Sequence, residues 1–119
     1  MREFDTGATR DGDTDKYDYE GFLSPLVLRR FAQYMHKHRM QADGKLRDSD
    51  NWQKGIPKEA YMKSRFRHFI DTWLIHRGWQ EKSDRNEDIE DLLCAELFNA
   101  MGQLHEVLKE KEGHNEGTA

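Results

Sequence analysis

Three stretches of the chain repeat apolar residues at helical spacing. In the first, Leu28, Phe31, Ala32 and Met35 recur three and four positions apart. Ser24 precedes them as an N-cap, and Pro25 brings a φ already suited to a first turn. His36, Lys37, His38 and Arg39 follow, where cations complement the negative end of a helix dipole. The pattern predicts a helix over 24–40, ending near Met40.

In the second stretch Pro57 opens the pattern and Gly78 stops it, predicting a helix over 57–77. Its main apolar stripe is Met62, Phe66, Phe69 and Trp73, while Leu74 and Ile75 lie off it, so more than one side needs cover. A polar linker, WQEKSDRN, leads to the third stretch. There Leu93, Leu97, Met101, Leu104 and Leu108 predict a helix over 86–111, with Asp84 and Glu87 in capping-box spacing and Asn86 as a rival cap.

The remaining segments are polar. Residues 1–23 hold seven acidic residues by Glu20 and glycines at 7, 12 and 21, which reads as an irregular arm. Residues 41–56 form a loop too long for mere connection, and Trp52 argues against its being disordered. Residues 112–119 read as a frayed tail. The expected architecture is therefore all-α, a single domain over 1–119 of three main helices.

Composition narrows the function. Of 119 residues 35% are hydrophobic and 35% charged, with mean hydropathy −1.07. That supports one modest core, and pooling cores in a homo-oligomer, a dimer or tetramer, would help it. The net charge of −4 argues against binding duplex nucleic acid by phosphate neutralisation. Cys94 is the one cysteine, so no internal disulfide forms, which fits a reducing, cytoplasmic compartment. No apolar run approaches the ~20 residues of a membrane span, and the acidic N-terminus has no apolar signal-peptide core.

Four of the first five residues of the third helix are acidic: Glu87, Asp88, Glu90 and Asp91. Favourable charge at a helix N-terminus explains some of this. Helical rotation, however, puts Glu90 in line with Leu97, Met101 and Leu104, with Glu87 and Asp91 on its flank. Carboxylates heading a buried stripe are costly without a cation, and hard divalent ions take oxygen ligands together with nucleotide phosphates. On the second helix His68 and Asp71 stand one turn apart, off the Phe66–Trp73 stripe, and could face them. Residues 51–67 carry Lys54, Lys58, Lys63, Arg65 and Arg67 against Glu59 alone, beside Asn51 and Trp52. Ring, amide and cations are what a nucleotide needs, although charged helix faces are often just solvated. Sharper motifs fail. Lys16 and Phe22 stand where an EF-hand beginning at Asp11 needs glycine and glutamate, and there is no GxxxxGK[ST].

The stretches GATRD (7–11), YEGFLSPLVLRRFAQYMHKHR (19–39), DNWQKGIPKEAYM (50–62), RHFIDTWLIHRG (67–78) and EDIEDLLCAELFNAMGQLHE (87–106) resemble the phage dATP/dGTP diphosphohydrolases. These are MazG-like enzymes of bacteriophages that replace adenine by 2-aminoadenine in their DNA. The resemblance covers nearly the whole chain and is most specific in NWxKG and RHxxD. It implies a MazG-like all-α bundle completed by oligomerisation, and a hydrolase of nucleotide metabolism using Mg²⁺ or Mn²⁺. Such an enzyme converts dGTP, and dATP, to monophosphate and pyrophosphate in the host cytoplasm, supplying dGMP for 2-aminoadenine nucleotide synthesis. MazG-like enzymes carry EExxE and ExxD motifs. Here the first reads Arg67-His68-Phe69-Ile70-Asp71, with Asp71 its matching acid, and the second reads Asp88-Ile89-Glu90-Asp91 or Glu87-x-x-Glu90.

The site expected on this basis has Glu87, Glu90, Asp91 and Asp71 as metal ligands with His68 as a further participant. One carboxylate of Glu87, Glu90 and Asp91 could instead be the general base. Arg67 and Lys54, with Lys16 and Arg10 as further candidates, would bind phosphates. Asn51, Trp52 and Asn99 would meet the base or sugar. The alternatives are a non-catalytic helical binding protein and a nucleotide-binding regulator without turnover.

Overall fold

The computed structural model describes residues 2–113. The arm is not wholly irregular. Arg2–Glu3 (β1) pairs antiparallel with Thr9–Arg10 (β2) across a turn in which Gly7 takes a φ of +86°. The Arg2 guanidinium donates to the Asp13 carboxylate at 3.0 Å and to the Asp11 carbonyl at 3.2 Å. One helical turn, Tyr19–Phe22 (α1), is capped by Asp18, whose carboxylate accepts from the Gly21 amide. These polar contacts all stay within the arm, and Tyr17, Tyr19 and Phe22 are exposed.

Pro25–Lys37 form α2, with the Ser24 hydroxyl accepting from the Val27 amide at 3.2 Å. The helix stops short of Met40 because Met40 pairs with Leu46 in an antiparallel bridge, and the Arg47 amide donates to the Arg39 carbonyl. The loop that follows contains a 3-10 turn over Asn51–Lys54. Helix α3 runs Lys58–His76; Pro57 sits before it as the cap, and Gly78 ends it with a φ of +82°. Helix α4 runs Ile89–Lys111 and starts later than 86. Its capping box is Asp88 with Asp91, not Asp84 with Glu87: each side chain accepts from the other's amide, at 2.9 and 3.3 Å. Asn86 has a φ of +63°, which breaks any earlier start. Residues 112 and 113 close the described chain, and the rest of the predicted tail lies outside the described residues.

The fold is thus mostly helical, and its heart is an antiparallel hairpin of α3 and α4. Lys58 meets Glu110, Arg65 meets Gln103, and Thr72 meets Glu96 along the seam, at 2.8 to 3.1 Å. Small residues allow the close approach. The Tyr61 ring lies directly over Gly102, and Ala95 is buried.

This corrects the expected core. The stripes Met62, Phe66, Phe69, Trp73 and Leu93, Leu97, Leu104, Leu108 are exposed, not packed between the helices. The seam takes Tyr61, Leu92, Ala95, Asn99 and Gly102 instead, because the cross-helix hydrogen bonds and the small residues fix the rotation of both helices. Helix α2 docks on the N-terminal half of α4 through Tyr34, which clusters with Cys94 and Ala95 and is flanked by Phe31 and Met35. The radius of gyration is 19.4 Å, against about 13.5 Å for a compact chain of this length. Among the described residues no helix is long and apolar enough to cross a membrane.

Candidate functional site

Between α2, the loop after it and the α3–α4 seam lies a cavity of about 480 Å³. That is within the range of small-molecule sites. One wall is aromatic. Trp52 of the 3-10 turn stands edge-on to His105 (4.9 Å between ring centroids) and Phe98 (6.1 Å), and Tyr34 closes the α2 side. Tyr61 supports this wall from beneath, 5.8 Å from Phe98.

The mouth is cationic. Arg39 and Arg47 both line it, and each is fixed by one donor: Arg39 Nε to the Arg47 carbonyl and Arg47 Nη2 to the His38 carbonyl, both at 2.8 Å. A guanidinium has five donors, so most remain for a ligand. His38 also lines the cavity and lies 4.3 Å from the Tyr34 ring. Burial, reinforced by Lys37, holds its pKa below the ordinary histidine value.

The floor is polar. Asn99 is buried and its amide nitrogen donates to the Ala95 carbonyl at 2.8 Å. His68 reaches the cavity from α3, and its Nδ1 is buried with no partner. Burial lowers its pKa, with Glu87 opposing and Arg85 and Arg67 adding to the fall, so the imidazole is neutral at pH 7. A buried ring nitrogen without a partner is an unmet hydrogen-bonding group beside the cavity.

The acids divide into two groups. Glu90 and Asp91 are held by Arg30, whose Nε donates to Glu90 at 2.7 Å and Nη2 to Asp91 at 3.0 Å. Those bonds raise the Arg30 pKa. Burial pushes the Asp91 carboxyl up, but the Arg30 bond and the capping contact with Asp88 outweigh it and leave the pKa below the ordinary value. The Glu90 side chain is 64% exposed, so it does not head a buried stripe. Asp71 makes no such pair, and Glu87 has only a long contact with Arg85 Nε, at 3.9 Å. Glu87 is half-buried beside Ser83, whose hydroxyl lies 3.4 Å from its carboxylate. Asp71 is half-buried on α3, and both acids bear electrostatically on His68. Burial, then Glu87 and Asp91, pushes the Tyr34 phenol up to about 12. Among the described residues no group of three or more His, Cys, Asp or Glu side chains gathers closely enough to hold a metal.

Of the expected binding residues, the structure brings Asn51, Trp52, His68 and Asn99 to one cavity. Arg67 is exposed next to His68 and acts on it electrostatically. Lys54 is exposed and does not line the cavity. Arg10 lies on β2 and Lys16 in the arm, both outside it. Sequence reasoning missed Tyr34, His38, Arg39, Arg47 and Phe98. The signal for His38 and Arg39 was the HKHR run that ends the first predicted helix, read there only as a dipole partner, and Arg47 had no such signal. Arg30 was missed too, because nothing local couples it to acids about sixty positions away. No family model, no curated protein and no solved structure matches this chain.

Proposed function

We propose that the protein is a metal-dependent pyrophosphohydrolase of purine deoxynucleoside triphosphates, acting on dGTP and dATP as a homo-oligomer. The observation that carries the reading is the cavity itself: Trp52 and Phe98 offer aromatic surface, Asn51 and Asn99 amides, and Arg39 and Arg47 cations, around space for a base and sugar. Aromatic surface takes a base, amides read its edge, and guanidinium groups take phosphates. The reaction type comes from the resemblance of the NWxKG and RHxxD segments.

The donor set suits Mg²⁺ or Mn²⁺ only in a particular way. Glu90 and Asp91 share the single charge of Arg30, which leaves Asp71, and Glu87 with its long contact to Arg85, as the carboxylates for an ion, both beside the cavity lining and not in it. Mg²⁺ characteristically uses one or two carboxylates plus the phosphates of its substrate, so two acids without a third protein donor are enough. When bound, such an ion polarises the phosphate chain and lowers the pKa of water. The chain's own contribution is orientation. Arg39 and Arg47 hold the phosphates, and the neutral His68 offers a hydrogen bond at the floor. A second reading, a nucleotide-binding regulator without turnover, is favoured by the Arg30 clamp on two of the four expected carboxylate ligands.

Incubation with each dNTP and Mg²⁺ or Mn²⁺, with products separated by chromatography, tests the proposal. Monophosphate plus pyrophosphate supports it, binding without product supports the regulator, and neither binding nor product refutes both. Trp52→Ala should weaken dGTP binding about tenfold or more, since base stacking contributes ~1–3 kcal/mol and ~1.4 kcal/mol is tenfold. If that variant melts much earlier without nucleotide yet binds dGTP normally, Trp52 only anchors the loop on Phe98 and His105.

A further inference from the structure

Residues 39–47 read RMQADGKLR, and they fold back on themselves as a short β-hairpin. Met40 bridges Leu46, the Gln41 amide donates to the Lys45 carbonyl at 2.9 Å, and the Arg47 amide donates to the Arg39 carbonyl at 2.8 Å. Gly44, at a φ of +83°, makes the turn, and the Asp43 carboxylate steadies it by accepting from the Lys45 amide at 2.9 Å. Side chains alternate along a strand and pair across a ladder. This register therefore sets Arg39, Gln41, Lys45 and Arg47 on one face and Met40 and Leu46 on the other. Three of the four residues on the first face are cationic. Arg39 and Arg47 stand opposite each other and line the cavity mouth, with Asp48 as the acid among the lining residues. Lys45 is exposed, two residues or about 7 Å of strand nearer the turn, and does not line the cavity.

We propose that this hairpin measures the length of a phosphate chain: Arg39 and Arg47 hold the two phosphates nearest the cavity, and Lys45 meets a third. This rests on reading the cavity as a nucleotide site, and it adds Lys45 as the group that tells a triphosphate from a diphosphate. The chemistry of the three cations fits the division. A guanidinium is a planar fork that takes a phosphate through paired hydrogen bonds, whereas an ammonium on a flexible stem acts as a point charge. Arg39 and Arg47 are each tied to the main chain by one donor, at the Arg47 and His38 carbonyls. That fixes both forks and leaves most of their donors available. They face each other in one register, so they serve neighbouring phosphates. Two guanidinium groups outweigh the one Asp48 carboxylate, so the mouth attracts anions. Lys45 lies further along the same face, beyond the cavity, where only the end of a longer chain arrives. A shorter chain ends before it.

Isothermal titration calorimetry on the full chain tests this with inorganic orthophosphate, pyrophosphate and tripolyphosphate, in chelator-treated buffer of fixed ionic strength. The wild type should bind tripolyphosphate more tightly than pyrophosphate, and pyrophosphate more tightly than orthophosphate. Lys45→Gln should weaken tripolyphosphate about fivefold, the scale of one exposed charge-assisted contact, and leave pyrophosphate unchanged. Lys45→Ala should behave alike, and both should fold normally because Lys45 is exposed. Lys45→Arg should keep the preference for tripolyphosphate. Arg39→Gln should weaken pyrophosphate and tripolyphosphate together. Lys63→Gln removes the same charge from α3, beside Glu59, and should change neither. The proposal is overturned if the wild type binds none of the three anions, if Lys45→Gln leaves tripolyphosphate affinity unchanged, or if it lowers pyrophosphate affinity equally. Turnover of dGTP by the wild type is a separate readout. The Lys45 pattern without turnover refutes the hydrolase reading and leaves the hairpin proposal standing, whereas turnover without the Lys45 pattern overturns the hairpin proposal alone.

Discussion

Gly102 provides a test in which local propensity and tertiary packing predict opposite signs. It sits inside α4, where alanine is favoured over glycine by about 0.8–1 kcal/mol, so propensity alone says Gly102→Ala should stabilise. The packing says otherwise. A Cβ at this position would lie 2.6 Å from the Tyr61 hydroxyl oxygen and closer still to Cε1 and Cζ of the ring. Ordinary carbon contacts begin near 3.5 Å, so the ring must retreat by roughly 1 Å. It has little room, being 2% exposed with Phe98 beside it. Overpacking of this kind costs about 1–3 kcal/mol. The upper part of that range applies here, leaving a net loss of about 2 kcal/mol after the propensity gain. A chain of this size loses ~3–6 °C per kcal/mol, so Tm should fall by about 6–12 °C.

The assay is thermal unfolding by circular dichroism at fixed protein concentration, since an oligomer's Tm depends on concentration. A double-mutant cycle locates the effect. Gly102→Ala in a Tyr61→Ala background should cost little or even stabilise, because the new methyl enters the space the ring has left. Gly102→Ala melting at or above the wild-type temperature would refute the reasoning, and with it the placement of Tyr61 over α4. The same push acts on the cavity wall, since Tyr61 supports Phe98, and Phe98 lines the cavity with Trp52. Weaker dGTP binding should therefore accompany the lower Tm.

Two further outcomes are expected. Arg30→Gln removes both bonds to Glu90 and Asp91 and should lower stability by about 1 kcal/mol, the scale of a partly exposed ion pair; an unchanged Tm would mean that α2 is held by the Tyr34 cluster alone. His38 has a pKa below its unfolded value, so the unfolded state takes up the proton first and stability is lost as pH falls from the unfolded value, about 6.5, through the folded one; the decline in Tm between pH 7.5 and 5.5 should be shallower in His38→Gln, and an equal decline would count against the shift.

The sequence pattern showed where helices lie more reliably than which way they face. Ser24, Gly78 and the apolar spacing located the three long helices to within a few residues. The start of α4 was misplaced because Asp84/Glu87 and Asp88/Asp91 share one capping-box spacing, and only the positive φ of Asn86 decides between them. Orientation failed for a different reason. Periodicity identifies an apolar stripe but does not say whether its partner belongs to the same chain. Trp52, Asn51, Asn99 and His68 were legible as polar or aromatic outliers, and they do meet in one cavity. The arginines at its mouth were not, because their position depends on the Met40–Leu46 bridge folding the loop back.

The polar seam and the apolar outer side are connected. Tyr61, His68, Thr72, Glu96 and Asn99 put hydrogen-bonding groups between α3 and α4, where a bundle would ordinarily place leucines. Such a seam can shape a recessed polar floor, but it gains less from burial than an apolar one and leaves the Nδ1 of His68 without a partner. A chain with 35% hydrophobic residues cannot spend them on both sides of two helices. The small and polar residues accordingly lie inside, around the cavity, and the large apolar ones outside. On this view stability and site are separable by mutation. Changes at the exposed Phe69 or Leu104 should leave the cavity lining intact, whereas changes at His68 or Asn99 alter it directly.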